Sequence, residues 1–431
     1  MRRKDILSAM QLADDIQEFL RSLYPENAER ALERFARLSL WHRDVYGHQP
    51  SGFVSAPGRT ELGGNHTDHN HGRVLASAVA LDAVAAVRLV VGDAVRLHSE
   101  GFAEPVHVDL QDLGEKREER FTSAALVRGV AARLKARGYR IGGFEAVVSS
   151  DVGVGSGLSS SAAFEVMVGG IFSALYNGWS IPPTVMALAG QEAENDFFGK
   201  PCGLMDQLCA VMGGALTIDF KFPSSPVVSS VRFDPEAFGY ALLVVDSGGS
   251  HADLTPDYAA IPGEMRAVAK LLGAETCRDV SRPDLMENIA RIRTACGDRA
   301  LLRCLHFLDE NERVEMMASA LQEGKFQEYL GLVKASGDSS LALLQNGHSP
   351  ADPARQGVVV ALALTDRFLK SAGGGACRVH GGGFAGTIQA YVPEPEVEAY
   401  RAYMAQWFGP AAVTRLRIRT KGVQTCPVPR D

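Results

Sequence analysis

The sequence predicts a mixed α/β chain of two domains. Strand-like runs rich in Val, Ala and Leu alternate with stretches of helical periodicity. At 431 residues the chain exceeds one ordinary core, for which about 100–200 residues is the usual size. Helical patterns give way to strand-like ones at Gly213-Gly214, which sets the expected division at 1–213 and 214–431.

Residues 5–47 read as helical with a break at Pro25, and Leu32, Phe35, Leu38 and Trp41 recur at a spacing of three. Phe53-Val54-Ser55-Ala56 reads as a short strand ending at Pro57-Gly58. The Ala-, Val- and Leu-rich run from Val74 to Val91 suggests buried strand. The charge run 114–120 reads as an exposed loop or helix start. Ala124 to Arg137 predicts an amphipathic helix stopped by Gly138, and 144–149 a strand. A glycine- and serine-rich turn at 153–161 leads into a helix near Ser160. Two helical stretches follow, Thr184 to Asp196 and Leu204 to Val211, then a strand at 242–246. Helical patterns dominate 262–345, among them 313–321 and 326–335. The chain closes with a strand at 385–392 and a helix at 394–408.

Composition narrows the function classes. A net charge of −7 argues against a generic nucleic-acid or anionic-membrane binder. No apolar run reaches bilayer length. Seven scattered cysteines do not form a disulfide framework and, with no signal peptide read at the start, fit a cytoplasmic protein.

Asp151-Val152-Gly153-Val154-Gly155-Ser156-Gly157-Leu158-Ser159-Ser160-Ser161-Ala162 lies between a predicted strand and a predicted helix. Its glycines let the backbone approach a ligand closely, and the helix start offers unpaired N–H groups and a favourable dipole. Phosphate binding by Gly153, Gly155, Ser156, Gly157, Leu158, Ser159, Ser160 and Ser161 explains the pattern better than a serine cap alone. Neither the Walker loop nor the dinucleotide GxGxxG spacing is present. A second window runs from Glu192 to Gln207. It sets Glu194 and Asp206 on two helix ends joined by Gly199, Pro201 and Gly203, where two carboxylates can serve a Mg²⁺ ion and accept a proton. Solvated helix-end charges are the plainer alternative. Two glycine triplets, 373–375 and 381–383, flank His380, which reads as structural. Gly58 to Gly72 packs an arginine, an acid, an amide and the histidines 66, 69 and 71 into one window. It lacks a helical His-x-x-x-His pair and a cysteine partner, so a transition-metal site is the weaker reading.

These motifs in this order resemble the GHMP family of small-molecule kinases and its galactokinase branch. The branch pattern APGRVNLIGEHTDYNGG is similar to residues 56–72. GLSSSA matches Gly157 to Ala162, the AE…CG-x-MDQ element matches 193–207, and GGGFGG matches 381–386. The resemblance implies a two-lobed fold with ATP and a sugar held in the cleft. It implies Mg-ATP-dependent phosphorylation of a monosaccharide at its anomeric hydroxyl, with galactose the default substrate. Asp206 aligns with the catalytic base and Arg59 with the arginine that neutralises it. Ser161 and Glu194 align with the Mg²⁺ ligands. His66, Asp68, Gly203 and Tyr258 align with sugar contacts, and so does position 65. A monomer acting on ATP and a small sugar is the expected partnership.

The chain departs from the pattern where Glu61 stands for the branch's Asn and Asn65 for its Glu. Gly63, His69, His71 and Arg73 are also exchanged, and the arginines expected after Tyr258 are missing. The swapped amide motivates an alternative sugar substrate, such as an amino sugar, an arabinose-type sugar or a uronic acid. A non-catalytic sensor is a further alternative, against which the complete Ser159-Ser160-Ser161-Ala162 run argues.

Overall fold

A computed structural model describes residues 14–153, 157–249 and 254–427. The N-terminal helical stretch appears as α1 (Asp14–Leu23) and α2 (Ala28–Tyr46), parted around Pro25. Residues 1–13 lie outside the described residues. Leu32, Phe35 and Leu38 bury one face of α2 against Phe53, Val84 and Val147 of the sheet beneath, and Gly47 stops the helix at φ 83°.

The expected strand at 53–56 does not end at Pro57-Gly58. It continues as β1 (Gly52–Gly63), and the register shifts between Pro57 and Arg59 and again between Glu61 and Gly63. A bulge tolerates the absence of the N–H donor that proline lacks, which is why the strand survives its own stop signal. The Ala/Val run is one long strand, β2 (Arg73–Leu89). Two strands that the sequence pattern did not reveal follow, β3 (Ala94–Ser99) and β4 (Val106–Asp109). Next come α3 (Ser123–Ala136), β5 (Phe144–Ser150), α4 (Ser160–Tyr176) and α5 (Pro183–Glu192). The helix expected to reach Asp196 ends instead in a wide π turn, Ala193–Phe198. After α6 (Met205–Met212) come β6 (Ala215–Asp219), β7 (Val227–Val231) and β8 (Tyr240–Asp246).

The helical region resolves into α7 (Thr255–Leu271), α8 (Arg282–Glu287), α9 (Ile289–Cys296), α10 (Asp298–Gln322) and α11 (Phe326–Ser339). A further helix, α12 (Gly357–Ser371), was hidden by its valine-rich start, which reads equally as strand. The chain ends with β9 (Ala376–Val379), β10 (Thr387–Pro393), α13 (Val397–Phe408), β11 (Val413–Leu416) and β12 (Gln424–Pro427).

The strands form two sheets. The larger is eight-stranded in the order β12-β1-β2-β5-β3-β4, with β6 beside β2 and β7 beside β6. The smaller runs β11-β8-β10-β9. Thus β6, β7 and β12, all beyond Gly214, join the larger sheet. Val166, Met167, Ile171 and Phe172 of α4 fill the core under that sheet, while α12 and α13 cover the smaller one. Helices α7 to α10 share a third cluster around Met265, Cys304 and Phe307. Among the described residues no helix is long and apolar enough to cross a membrane.

Candidate active site

The first contacts of the site come from β1. Arg59 reaches across to α6, its Nε donating to Asp206 Oδ1 at 2.7 Å and its Nη2 to Oδ2 at 3.0 Å. Nη1 donates to the Gly157 carbonyl at 2.5 Å, and the Arg59 backbone N–H to the Leu158 carbonyl at 3.0 Å. The arginine fork therefore ties the carboxylate to the glycine-serine turn. Ser159 adds a hydroxyl that donates to Asp206 Oδ2. Burial alone would raise the Asp206 carboxyl. The Arg59 charge and the bonds from Ser159 and Arg59 outweigh it and hold the carboxyl below its ordinary value. Asp206 lies in the first turn of α6, where the helix dipole also favours the anion.

Of the expected phosphate-binding residues, Gly155 and Ser156 lie outside the described residues. Gly157 takes φ 72°, and a β-carbon there would sit 2.9 Å from His380 Nδ1 and from Thr387 Oγ1. Only glycine meets both demands. Ser159 enters the left-handed region at φ 60° immediately before α4 begins at Ser160. Ser161, one position further, donates its hydroxyl to Glu194 Oε1 at 2.8 Å. The π turn carries Glu194 into the interior, where Lys200 Nζ stands 3.4 Å from Oε1. A serine hydroxyl beside a buried carboxylate supplies hard oxygen donors of the kind Mg²⁺ takes, so this pair fits that ion.

Three residues here were given no role by the sequence reading, although Lys200 and Gln207 lie in its second window. Gln207 Nε2 donates to Glu194 Oε2 at 3.3 Å and to Glu165 Oε2 at 2.9 Å, linking the two acids. Glu165 is fully buried. Burial, with Glu194 nearby, raises its carboxyl far above the usual range. Lys200 keeps its charge because Glu194 and Asp206 outweigh the burial that would lower it. The available signals were Gln207's place next to Asp206 and the i,i+4 spacing of Ser161 and Glu165 on one helix face.

The loop at 64–72 after β1, the sugar-motif loop by its resemblance to the sugar motif of the family, lies beside the glycine triplet 381–383. His66 Nε2 is 2.9 Å from the Gly382 carbonyl. A carbonyl only accepts, so Nε2 carries the proton and Nδ1 is left as an acceptor. Nδ1 is buried with no protein partner. Burial, then the neighbouring His69, pushes His66 down to about 4, so the ring is neutral at physiological pH. Tyr258 stacks on His66 with centroids 6.4 Å apart and donates its hydroxyl to the Gly383 carbonyl at 3.0 Å. Asp68 Oδ1 accepts from the His69 N–H at 2.9 Å, and its Oδ2 packs against Gly203.

Asn65 departs from expectation. The reading of position 65 as a sugar contact meets a side chain already committed to protein. Its Nδ2 donates to Glu61 Oε1 at 3.0 Å and to the Gly381 carbonyl at 2.7 Å. Its Oδ1 accepts from Asn346 at 2.8 Å and Ser340 at 3.3 Å. These contacts use the full hydrogen-bonding capacity of an amide. Glu61 is buried too, and Arg378 Nη2 donates to it at 2.5 Å.

His380 is structural, as expected. Its Nε2 lies 3.0 Å from Thr60 Oγ1 and its Nδ1 2.9 Å from Thr387 Oγ1. Burial, Arg59 and Arg378 push it down to about 3, so it stays neutral between two arginines.

Comparison with known proteins accords with this geometry. Residues 41–89 match the family model described as the galactokinase galactose-binding signature, and residues 125–214 match the GHMP kinases N terminal domain. The galactokinase of Streptomyces coelicolor is 33% identical over 384 residues, which span 87% of this chain and 93% of that protein. Among solved structures, Lactococcus lactis galactokinase complexed with galactose superimposes with a TM-score of 0.77 at 24% identity, covering 91% of this chain and 99% of the other. Methanococcus jannaschii mevalonate kinase does so with a TM-score of 0.60 at 15% identity, covering 85% and 98%. At these identities the two solved structures speak for the fold.

Proposed function

This chain belongs to the galactokinase family of GHMP kinases, and we propose that it transfers the γ-phosphoryl group of ATP to the C1 hydroxyl of galactose. The observation that carries this reading is the Arg59–Asp206 fork at the mouth of the glycine-serine turn. Phosphoryl transfer needs positioning and charge neutralisation more than covalent chemistry. In the proposed reaction the sugar O1 forms a bond to the γ-phosphorus, the bond from phosphorus to the ADP oxygen breaks, and the O1 proton passes to Asp206. Arg59 keeps Asp206 ionised beforehand and offsets charge as it develops.

Gly153, Gly155, Ser156, Gly157, Leu158, Ser159, Ser160 and Ser161 are assigned to the ATP phosphates. The support is the helix start at Ser160, because the first N–H groups of a helix have no intrahelical partner and favour an anion. Ser161 and Glu194 are assigned to Mg²⁺: their hydroxyl and carboxylate oxygens would hold the ion, and its positive charge would offset the negative charge of the phosphates. His66, Asp68, Gly203 and Tyr258 are assigned to the sugar. His66 Nδ1 and the Asp68 carboxylate offer acceptors, a supply that suits a ligand rich in hydroxyl donors.

A monomeric, cytoplasmic enzyme is the accompanying proposal. Seven cysteines outside any disulfide agree with a reducing compartment. The lobe division at 1–213 and 214–431 also remains a proposal, and on it the two lobes share the larger sheet. Asp206→Asn tests the mechanism. Turnover should vanish while ATP still binds, and near-wild-type turnover would overturn the assignment.

A further inference from the structure

The glycine triplet turns three successive carbonyls toward the sugar-motif side. Gly381 O accepts from Asn65 at 2.7 Å, and Gly382 O from His66 at 2.9 Å and Asn346 at 3.1 Å. Gly383 O accepts from Tyr258 at 3.0 Å. The packing admits no side chain here. A β-carbon at 382 would overlap the Tyr258 ring, and one at 383 the Asn346 carbonyl. Two of these donors, His66 and Tyr258, are assigned above to the sugar. Of the other two, Asn346 and Asn65, the latter is buried and joined to segments on every side. Glu61 holds it from β1, Ser340 and Asn346 from beyond α11, and His306 of α10 donates to its backbone carbonyl at 2.9 Å.

We infer that Asn65 is a positioning residue: it anchors the glycine triplet, and through the triplet's carbonyls it fixes the orientation of His66 and Tyr258, without reading the sugar itself. Glu61 is its acidic partner, and Arg378 neutralises that acid in the interior. The exchange of acid and amide relative to the family pattern then stays within the protein. The two side chains touch each other, one carboxylate and one amide, and the choice of sugar does not follow from the exchange. This inference rests on the kinase reading of the site. Asp206→Asn tests that reading separately, because Asp206 makes none of the bonds to the triplet.

The test is Asn65→Ala in the full chain, assayed with ATP and a panel of galactose, glucose, galactosamine, arabinose and galacturonic acid. The variant loses all four side-chain bonds of the amide, and loss of the one that anchors Gly381 should raise the galactose KM about tenfold and move the ATP KM less than about twofold. The order of preference among the sugars should stay as in the wild type. A specific readout accompanies the kinetics. In ¹⁵N NMR the wild-type His66 should show the Nε2–H tautomer, and Asn65→Ala should show mixed tautomers as Gly382 loosens. Should Asn65→Ala fail to fold, Ser340→Ala removes one bond to the same amide and should move KM and the His66 signals in the same direction by a smaller amount. A reordered sugar preference would overturn the inference, because it would mean that Asn65 contacts the substrate. Unchanged KM with unchanged His66 signals would overturn it as well.

Discussion

Gly203 and Asp68 stand so close that a β-carbon on residue 203 would overlap the Asp68 carboxylate oxygen Oδ2. The contact joins the turn before α6 to the sugar-motif loop, so the missing side chain at 203 sets where the Asp68 carboxylate can lie. Gly203→Ala should push that carboxylate aside and raise the galactose KM about tenfold, the scale of one misplaced hydrogen-bonding group. The ATP KM should hold. Initial rates with each substrate varied in turn check this, and a rise confined to ATP would contradict it.

Ser159 donates to the same Asp206 oxygen as Arg59 Nη2. Both bonds favour the ionised carboxyl. Removing one moves the carboxyl up toward its ordinary value. Ser159→Ala should therefore shift the acid limb of the kcat/KM profile to higher pH, with a rate loss at neutral pH of about tenfold. A pH–rate series for both proteins makes the comparison. An unmoved acid limb would mean that Ser159 does not support the base.

Glu310 gives a pH prediction for stability. Burial opposes its ionisation, but His306, Arg313 and Arg378, with the Ser336 hydroxyl, outweigh burial and push it from 4.5 down to about 2. A carboxyl depressed in the folded state stabilises the fold fully above its unfolded value. That stabilisation fades as the pH falls through the window between 4.5 and about 2. Glu310→Gln lacks this contribution. The stability gap between wild type and variant should close across that window by roughly 3 kcal/mol. Urea unfolding at several acidic pH values measures it, and a gap independent of pH would refute it.

Much of the site was legible along the chain because its parts are local. The glycine-serine turn could be recognised before α4 because a strand, a glycine run and a helix start follow one another within a few residues. The family resemblance set Ser161 and Glu194 together, and the fold brings their side chains within 2.8 Å of each other. Legibility failed where packing decides. Pro57 reads as a strand end, yet its neighbours' pairing with β2 carries β1 past it through a bulge. The π turn at Ala193–Phe198 has no signature in helical periodicity, yet it takes Glu194 into the interior.

Position 65 marks the boundary between the two kinds of information. The sequence by itself determined that an amide replaces an acid there, inside a loop with the chemistry of a sugar site. Its resemblance to the kinase family also set Arg59 beside Asp206, and the fold brings the two into contact. Only the tertiary structure decided which groups the amide bonds. Its partners Ser340, Asn346 and Gly381 lie 275, 281 and 316 positions away along the chain. Whether a buried polar group is satisfied depends on the neighbours that folding brings to it, and neither residue type nor local spacing encodes those neighbours.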